Sequence, residues 1–172
     1  YAITVSSGGD PNYGLSYVNG TLMVPDTEIP VLTWNNPAAI TFGTALDGTQ
    51  LDATANVAGT FSYAPASGAE LDAGIHTLTA TFTPTNTATY TTTTKNVTIT
   101  VSKATPTITW NAPATITYGT ALSSTQMNAT PSAPGAFSYT PPAGTALNVG
   151  TAQQLQVALP ESANYSAATA VV

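Results

Sequence analysis

The chain has 172 residues, of which Thr (34) and Ala (28) make up more than a third, with eight acidic residues against two lysines, no arginine, no cysteine, one histidine and a formal charge of −6. That balance excludes a basic footprint for nucleic acid, a zinc ribbon, a disulfide scaffold, a thiol enzyme and any multi-histidine metal centre. A hydrophobic content of 42% with only 13 Gly and 13 Pro sets the chain apart from collagenous and disordered sequences, and no apolar run approaches the roughly 20 residues of a membrane-spanning helix.

Taken in order, residues 1–5 alternate like the middle of a strand and carry no leader-like pattern. Residues 13–24 have the spacing of residues 90–101, so residues 1–25 read as the last two strands of a partial repeat. Next comes TWNNPAAITFGTAL at residues 33–46, which returns as TWNAPATITYGTAL at residues 109–122, an offset of 76. The same offset pairs residues 49–51 with 125–127, residues 61–63 with 137–139, Pro65 with Pro141, Gly68 with Gly144, Leu71 with Leu147 and Gly74 with Gly150. Leu78, Ala80 and Phe82 then match Leu155, Val157 and Leu159 at 77, and Tyr90 matches Tyr165 at 75, so the change of length is expected in a turn between strands. The repeats span 26–103 and 104–172, the last strand of the second stopping short at Val172.

Within a repeat the apolar period is two: Leu78, Ala80 and Phe82 alternate with threonines, as do Val97, Ile99 and Val101. Gly and Pro breakers fall every ten or so residues, and no segment has a helical stripe. The fold class expected is therefore all-β, with tandem antiparallel sandwiches of about 75 residues each in an elongated array. Thr suits the solvated face of such sheets and replaces charge as the solubilising group. The expected core of the first whole repeat is Trp34, Ile40, Phe42, Leu46, Leu51, Phe61, Leu71, Leu78, Phe82, Tyr90, Val97, Ile99 and Val101. In the second it is Trp110, Ile116, Tyr118, Leu122, Met127, Phe137, Leu147, Leu155, Val157, Leu159 and Tyr165. Trp34 and Trp110 open their repeats and are expected to pack on the sandwich and stiffen the junction, while Tyr90 and Tyr165 precede each last strand.

These motifs resemble the bacterial immunoglobulin-like (Big-type) repeats: the TW-N-x-P-A-x-I-T-[FY]-G-T-A-L opening, F-S-Y-x-P at residues 61–65 and 137–141, and the late Tyr. Residues 12–24, NYGLSYVNGTLMV, resemble the end of the related MBG-type repeat. The resemblance implies Ig-like sandwiches, an extracellular or cell-surface location, and a spacer, stalk or adhesive role with no catalytic residues.

Candidate chemistry is sparse. Asp26 and Glu28, with neighbouring carbonyls, could chelate calcium before Trp34, but the junction before Trp110 offers Lys103 and no acid, so solvated surface acids and no cofactor are the reading preferred. His76 aligns with Ala152 and lacks a nucleophile motif. Lys95 and Lys103 could form isopeptide links, although neither recurs. Asn19, Asn96, Asn128 and Asn164 fit the N-linked sequon, which arises readily in so Thr-rich a chain. Exposed tyrosines among Tyr13, Tyr17, Tyr63, Tyr118 and Tyr139 could stack on a surface polysaccharide or glycan, the alternative to a passive spacer.

The partners expected are therefore neighbouring repeats or copies of the same chain. Two accounts of the ends compete: a window cut from a longer tandem array, which is favoured, and a subunit whose N-terminal strands complete the last repeat of the next copy in a head-to-tail filament. Either way short proline-bearing linkers at residues 24–30 and 102–106 are expected to limit bending and give a rod.

Overall fold

A chain whose apolar residues recur at every second position satisfies its backbone by pairing strands. The computed structural model describes residues 2–3, 20–21 and 27–172, and every regular element among them is a β-strand. β1 (Ala2–Ile3) pairs antiparallel with β2 (Gly20–Thr21). β3 (Leu32–Thr33) pairs antiparallel with β5 (Thr54–Ala55). β4 (Ile40–Thr41), β6 (Gly59–Ala64), β7 (Gly74–Pro84) and β8 (Thr93–Ser102) form a sheet in the order β4-β8-β7-β6, with β4 parallel to β8 and Ile40 opposite Val101. Further on, β9 (Ile108–Thr109) pairs antiparallel with β10 (Thr130–Pro131). Finally β11 (Ser138–Thr140), β12 (Gln156–Leu159) and β13 (Ala168–Val171) make an antiparallel sheet in that order. No helix among the described residues is long and apolar enough to cross a membrane.

The chain gathers into two compact units. One comprises Tyr1–Trp34, Ala53–Ser62 and Ala80–Lys95, and contains the β3–β5 pair and the Phe61–Phe82 ring contact at 4.9 Å. The other comprises Asn35–Asp52, Tyr63–Thr79 and Asn96–Val172, and contains the β4–β8 pairing and all of β9 to β13.

Period two translates directly into burial. On β7 Leu78, Ala80 and Phe82 are buried, and on β8 Val97, Ile99 and Val101, with threonines between them facing outward or half-covered. β12 buries Val157 and Leu159, with Leu155 just before it. Burying a side chain such as Leu or Phe is worth about 1.5–3 kcal/mol, so these alternating positions supply much of the driving force. Leu46 and Leu122 are buried from loops.

The core read from the sequence needs correction at its edge. Ile40, Phe42, Phe61, Leu71, Tyr90, Trp110, Ile116, Met127, Phe137, Leu147 and Tyr165 are only half-buried, and Tyr118 is 74% exposed. Ala53, Ala133, Gln50 and Gln126 are buried although none stood among the expected core residues. Each is small enough, or sufficiently hydrogen-bonded, to be tolerated inside.

Several hydrogen bonds of the loops and turns recur at the sequence offset of 76. Thr33 faces Thr54 as Thr109 faces Thr130, and in each pair the second threonine's hydroxyl donates to the first's carbonyl at 3.4 Å. Thr44 N–H donates to Thr41 O and Thr120 N–H to Thr117 O, both at 3.0 Å, in turns that Gly43 and Gly119 close with φ of 88° and 87°. Those left-handed angles cost glycine little and other residues more. Leu46 N–H donates to Ala69 O and Leu122 N–H to Thr145 O, both at 2.9 Å. The Ala64–Pro65 and Thr140–Pro141 peptides are both cis.

One feature departs from expectation. The extra residue of the second repeat lies between Gly150 and Leu155, where the first repeat already runs as the opening of β7, rather than in a turn between strands. Ala152 absorbs it at φ 58°, and the strand resumes only at Gln156. A non-glycine residue there stores strain, of order 1 kcal/mol or more, and interrupts the ladder.

Candidate functional site

The most elaborate constellation lies where residues 103–106 lead into the second repeat, within a single compact unit. The linker is first pinned through its backbone: Ala104 N–H donates to Asn164 O and Ser166 N–H to Ala104 O, both at 3.0 Å, a parallel bridge to Tyr165. Glu28 and Tyr90 make the same bridge 76 and 75 residues earlier. Lys103 adds a side-chain anchor, its ammonium donating to the Glu161 carboxylate and, at 2.7 Å, to Ser162 O.

Asn164 and Tyr165 then reach the first repeat. The Asn164 side chain accepts from Ala73 N–H at 2.8 Å and donates from Nδ2 to the Asp72 carboxylate at 2.9 Å. An amide is suited to this, since it offers donor and acceptor from one plane. Beside it the Tyr165 ring meets Phe42 edge-on, with centroids 5.4 Å apart at 75°. This geometry is a preferred one for aromatic pairs and contributes about 0.5–1.5 kcal/mol beyond area burial.

The hydrogen bond from Lys103, reinforced by its charge, holds the Glu161 carboxyl below its ordinary value of 4.5. Because the folded value is depressed, the contribution is complete at neutral pH and is lost as pH falls below 4.5 through the folded value. Glu161 is solvent-exposed, so the stability effect is small. A carboxyl-detected NMR titration is expected to place Glu161 below an ordinary glutamate and to return it to that range in Lys103→Met. An unchanged titration in the variant would remove the ion pair from the account.

A counterpart of the receiving face lies in the second repeat. Phe42, Asp72 and Ala73 correspond at 76 residues to Tyr118, Asn148 and Val149, which line a shared groove of about 610 Å³ with Ile116, Leu147 and Val172. Tyr118 and Val149 are 74% and 82% exposed.

The residues singled out from sequence are dispersed by comparison. Asp26, Tyr13 and Tyr17 lie outside the described residues. Glu28 takes part through its backbone, and among the described residues no three His, Cys, Asp or Glu side chains gather as a metal group would. Trp34 is 4% exposed, whereas Trp110 is half-buried, donating Nε1–H to Gln126 O at 2.9 Å and meeting Tyr139 edge-on at 5.4 Å. Tyr139 is itself anchored, its hydroxyl donating to Met127 O at 3.0 Å, and Tyr63 is half-buried. His76 Nε2 lies 2.7 Å from Asp72 O, and Lys95 donates to Leu32 O at 2.9 Å. Asn164 had a signal only as a sequon, and the amide nitrogen that would carry a glycan is the one bound to Asp72. Asp72 is an exposed acid, and Phe42, expected in the core, is half-buried.

Neither a protein-family model nor a curated protein matches the chain.

Proposed function

We propose that this is a non-catalytic structural protein of the bacterial cell surface: tandem immunoglobulin-like sandwiches of the Big type that act as a stiff spacer or adhesin shaft. The observation that carries the reading is the clasp made by Asn164 on Ala73 and Asp72. Repeats that contact only their neighbours transmit orientation through the joints, so a joint fixed on several sides is what a spacer requires. Here a backbone bridge, a lysine anchor, a two-way amide and a ring contact act together. The recurrence of loop hydrogen bonds at 76 residues supports the tandem reading, and the opening motif supports the family and the extracellular setting.

Asn164→Ala tests it. Losing both bonds strands the Ala73 N–H and is expected to weaken the joint by about 1–3 kcal/mol. By calorimetry the intact chain should melt with its two repeats coupled, and the variant should separate them into two transitions. Superimposable melting curves would mean the joint couples nothing, and the spacer reading would fall.

A further inference from the structure

A repeat under tension is pulled where the chain enters it and where the chain leaves it. In the first repeat the entering segment, residues 28–42, is tied to the leaving segment, residues 89–102, at four successive points. Glu28 N–H donates to Thr89 O at 2.8 Å and Thr91 N–H to Glu28 O at 3.0 Å, a parallel bridge to Tyr90. Next the Lys95 ammonium donates to Leu32 O at 2.9 Å, and the Asn36 side-chain oxygen accepts from Thr98 N–H at 3.0 Å. Last, β4 pairs parallel with β8, Ile40 opposite Val101, and Phe42 N–H donates to Ser102 O at 2.9 Å. Partners in these ties stand 62, 63, 62 and 61 residues apart, so the two segments keep one parallel register, the first two ties within one compact unit and the last two within the other.

Parallel register decides how tension acts. The entering segment is pulled at its N-terminal end and the leaving segment at its C-terminal end. In a parallel pair those two ends lie at opposite ends of the pairing, so the segments are sheared and the ties share the load. In an antiparallel pair the same two ends would coincide, and the ties would be peeled apart one at a time. Shear along β8 also drags Val97, Ile99 and Val101 from the core, which adds the cost of exposing them. The second repeat opens with the same parallel bridge, Ala104 to Tyr165.

We propose that residues 28–42 and 89–102 form a shear clamp through which the first repeat carries tension along the chain. The proposal rests on the spacer reading and deepens it, because a stiff spacer need only hold its shape, whereas a clamp resists force in one chosen direction. Lys95 and Asn36 are its side-chain ties, and each holds a backbone group of the opposite segment.

The test is the lifetime of the full chain under constant force, pulled through handles on two introduced cysteines, since the chain has none of its own. Thr27→Cys with Ser102→Cys loads the clamp in shear, and Thr27→Cys with Thr87→Cys peels it from the end where both segments begin; all three positions are exposed. At equal force the shear pair is expected to last at least about tenfold longer, since forced unfolding is governed by the unfolding barrier. Asn36→Ala and Lys95→Met should each shorten the shear lifetime about three- to tenfold, the worth of one hydrogen bond, and lower the ratio between the two directions. Equal lifetimes in the two directions, or a longer one under peeling, would overturn the proposal. So would variants that shorten both lifetimes alike, because that is what a general loss of stability does. The melting of Asn164→Ala separates the two levels: coupled repeats without directional resistance leave the spacer reading intact and remove only the clamp.

Discussion

Phe82→Ala is expected to remove about 3–5 kcal/mol of stability, the range for deleting a buried aromatic ring. Phe82 is fully buried on β7 and packs against Phe61 with planes tilted by 48°. The neighbouring backbone is tied by Thr85 N–H donating to Ala58 O at 2.9 Å, which opposes its closing over the space the ring leaves. The ring lies so close over Gly59 that a Cβ there would overlap it and the Thr83 carbonyl, so the site is built tightly from both sides. Small domains have total stabilities of about 5–15 kcal/mol, which makes this loss a large fraction of what holds the first repeat. Urea unfolding should show a lower midpoint with little change in slope. A loss below about 1 kcal/mol would show that the site collapses freely and that this ring does not anchor the core.

Gln126→Met should cost about 1–3 kcal/mol although it keeps the volume, because it removes an acceptor and leaves donors behind. Gln126 is 8% exposed, and its Oε1 accepts from both the backbone N–H and the hydroxyl of Ser123, each at 3.1 Å. This fixes the turn whose backbone also carries Gln126 N–H and Met127 N–H to Ser123 O. Gln50 does the same for Asp47, accepting from its N–H at 3.0 Å, so Gln50→Met should fall in the same range. In that turn the Asp47 carboxylate accepts from Thr49 N–H at 2.7 Å, which holds its pKa below the usual value. Equal stability of parent and Gln126→Met in urea would show that water replaces the amide and that the buried glutamine is incidental.

The strands of the first repeat were legible because alternation is a direct consequence of the pleat: Leu78, Ala80 and Phe82 could face only one way. The turns at Gly43 and Gly119 were legible because glycine and its neighbours recur at a fixed offset. Gln50 and Gln126 were visible as aligned residues yet carried no sign of burial, since polar residues are ordinarily outside and only the fold reveals the backbone donors they meet. Tyr118 is a different case. It stands both among the expected core residues and among the tyrosines that could stack on a sugar, and it is exposed, whereas its counterpart Phe42 meets the ring of Tyr165. Asn164 was hidden likewise, because its partners Ala73 and Asp72 lie about 90 residues away and nothing local announces them. The shortened β12 traces to one added residue, which was expected in a turn between strands and lies instead between Gly150 and Leu155, and nothing in the sequence announced the positive φ at Ala152.

The stiffness of the joint is measured most directly by the distance distribution between two spin labels on equivalent turns, at Gly48→Cys and Ser124→Cys. The chain has no cysteine of its own, a side chain at Gly48 would enter open space and Ser124 is exposed, so both labels are expected to report without disturbing the fold. A single narrow distribution that broadens in Asn164→Ala is the expected result. A broad distribution in the parent, or a narrow one that Asn164→Ala leaves unchanged, would contradict the claim that this clasp makes the chain a stiff spacer.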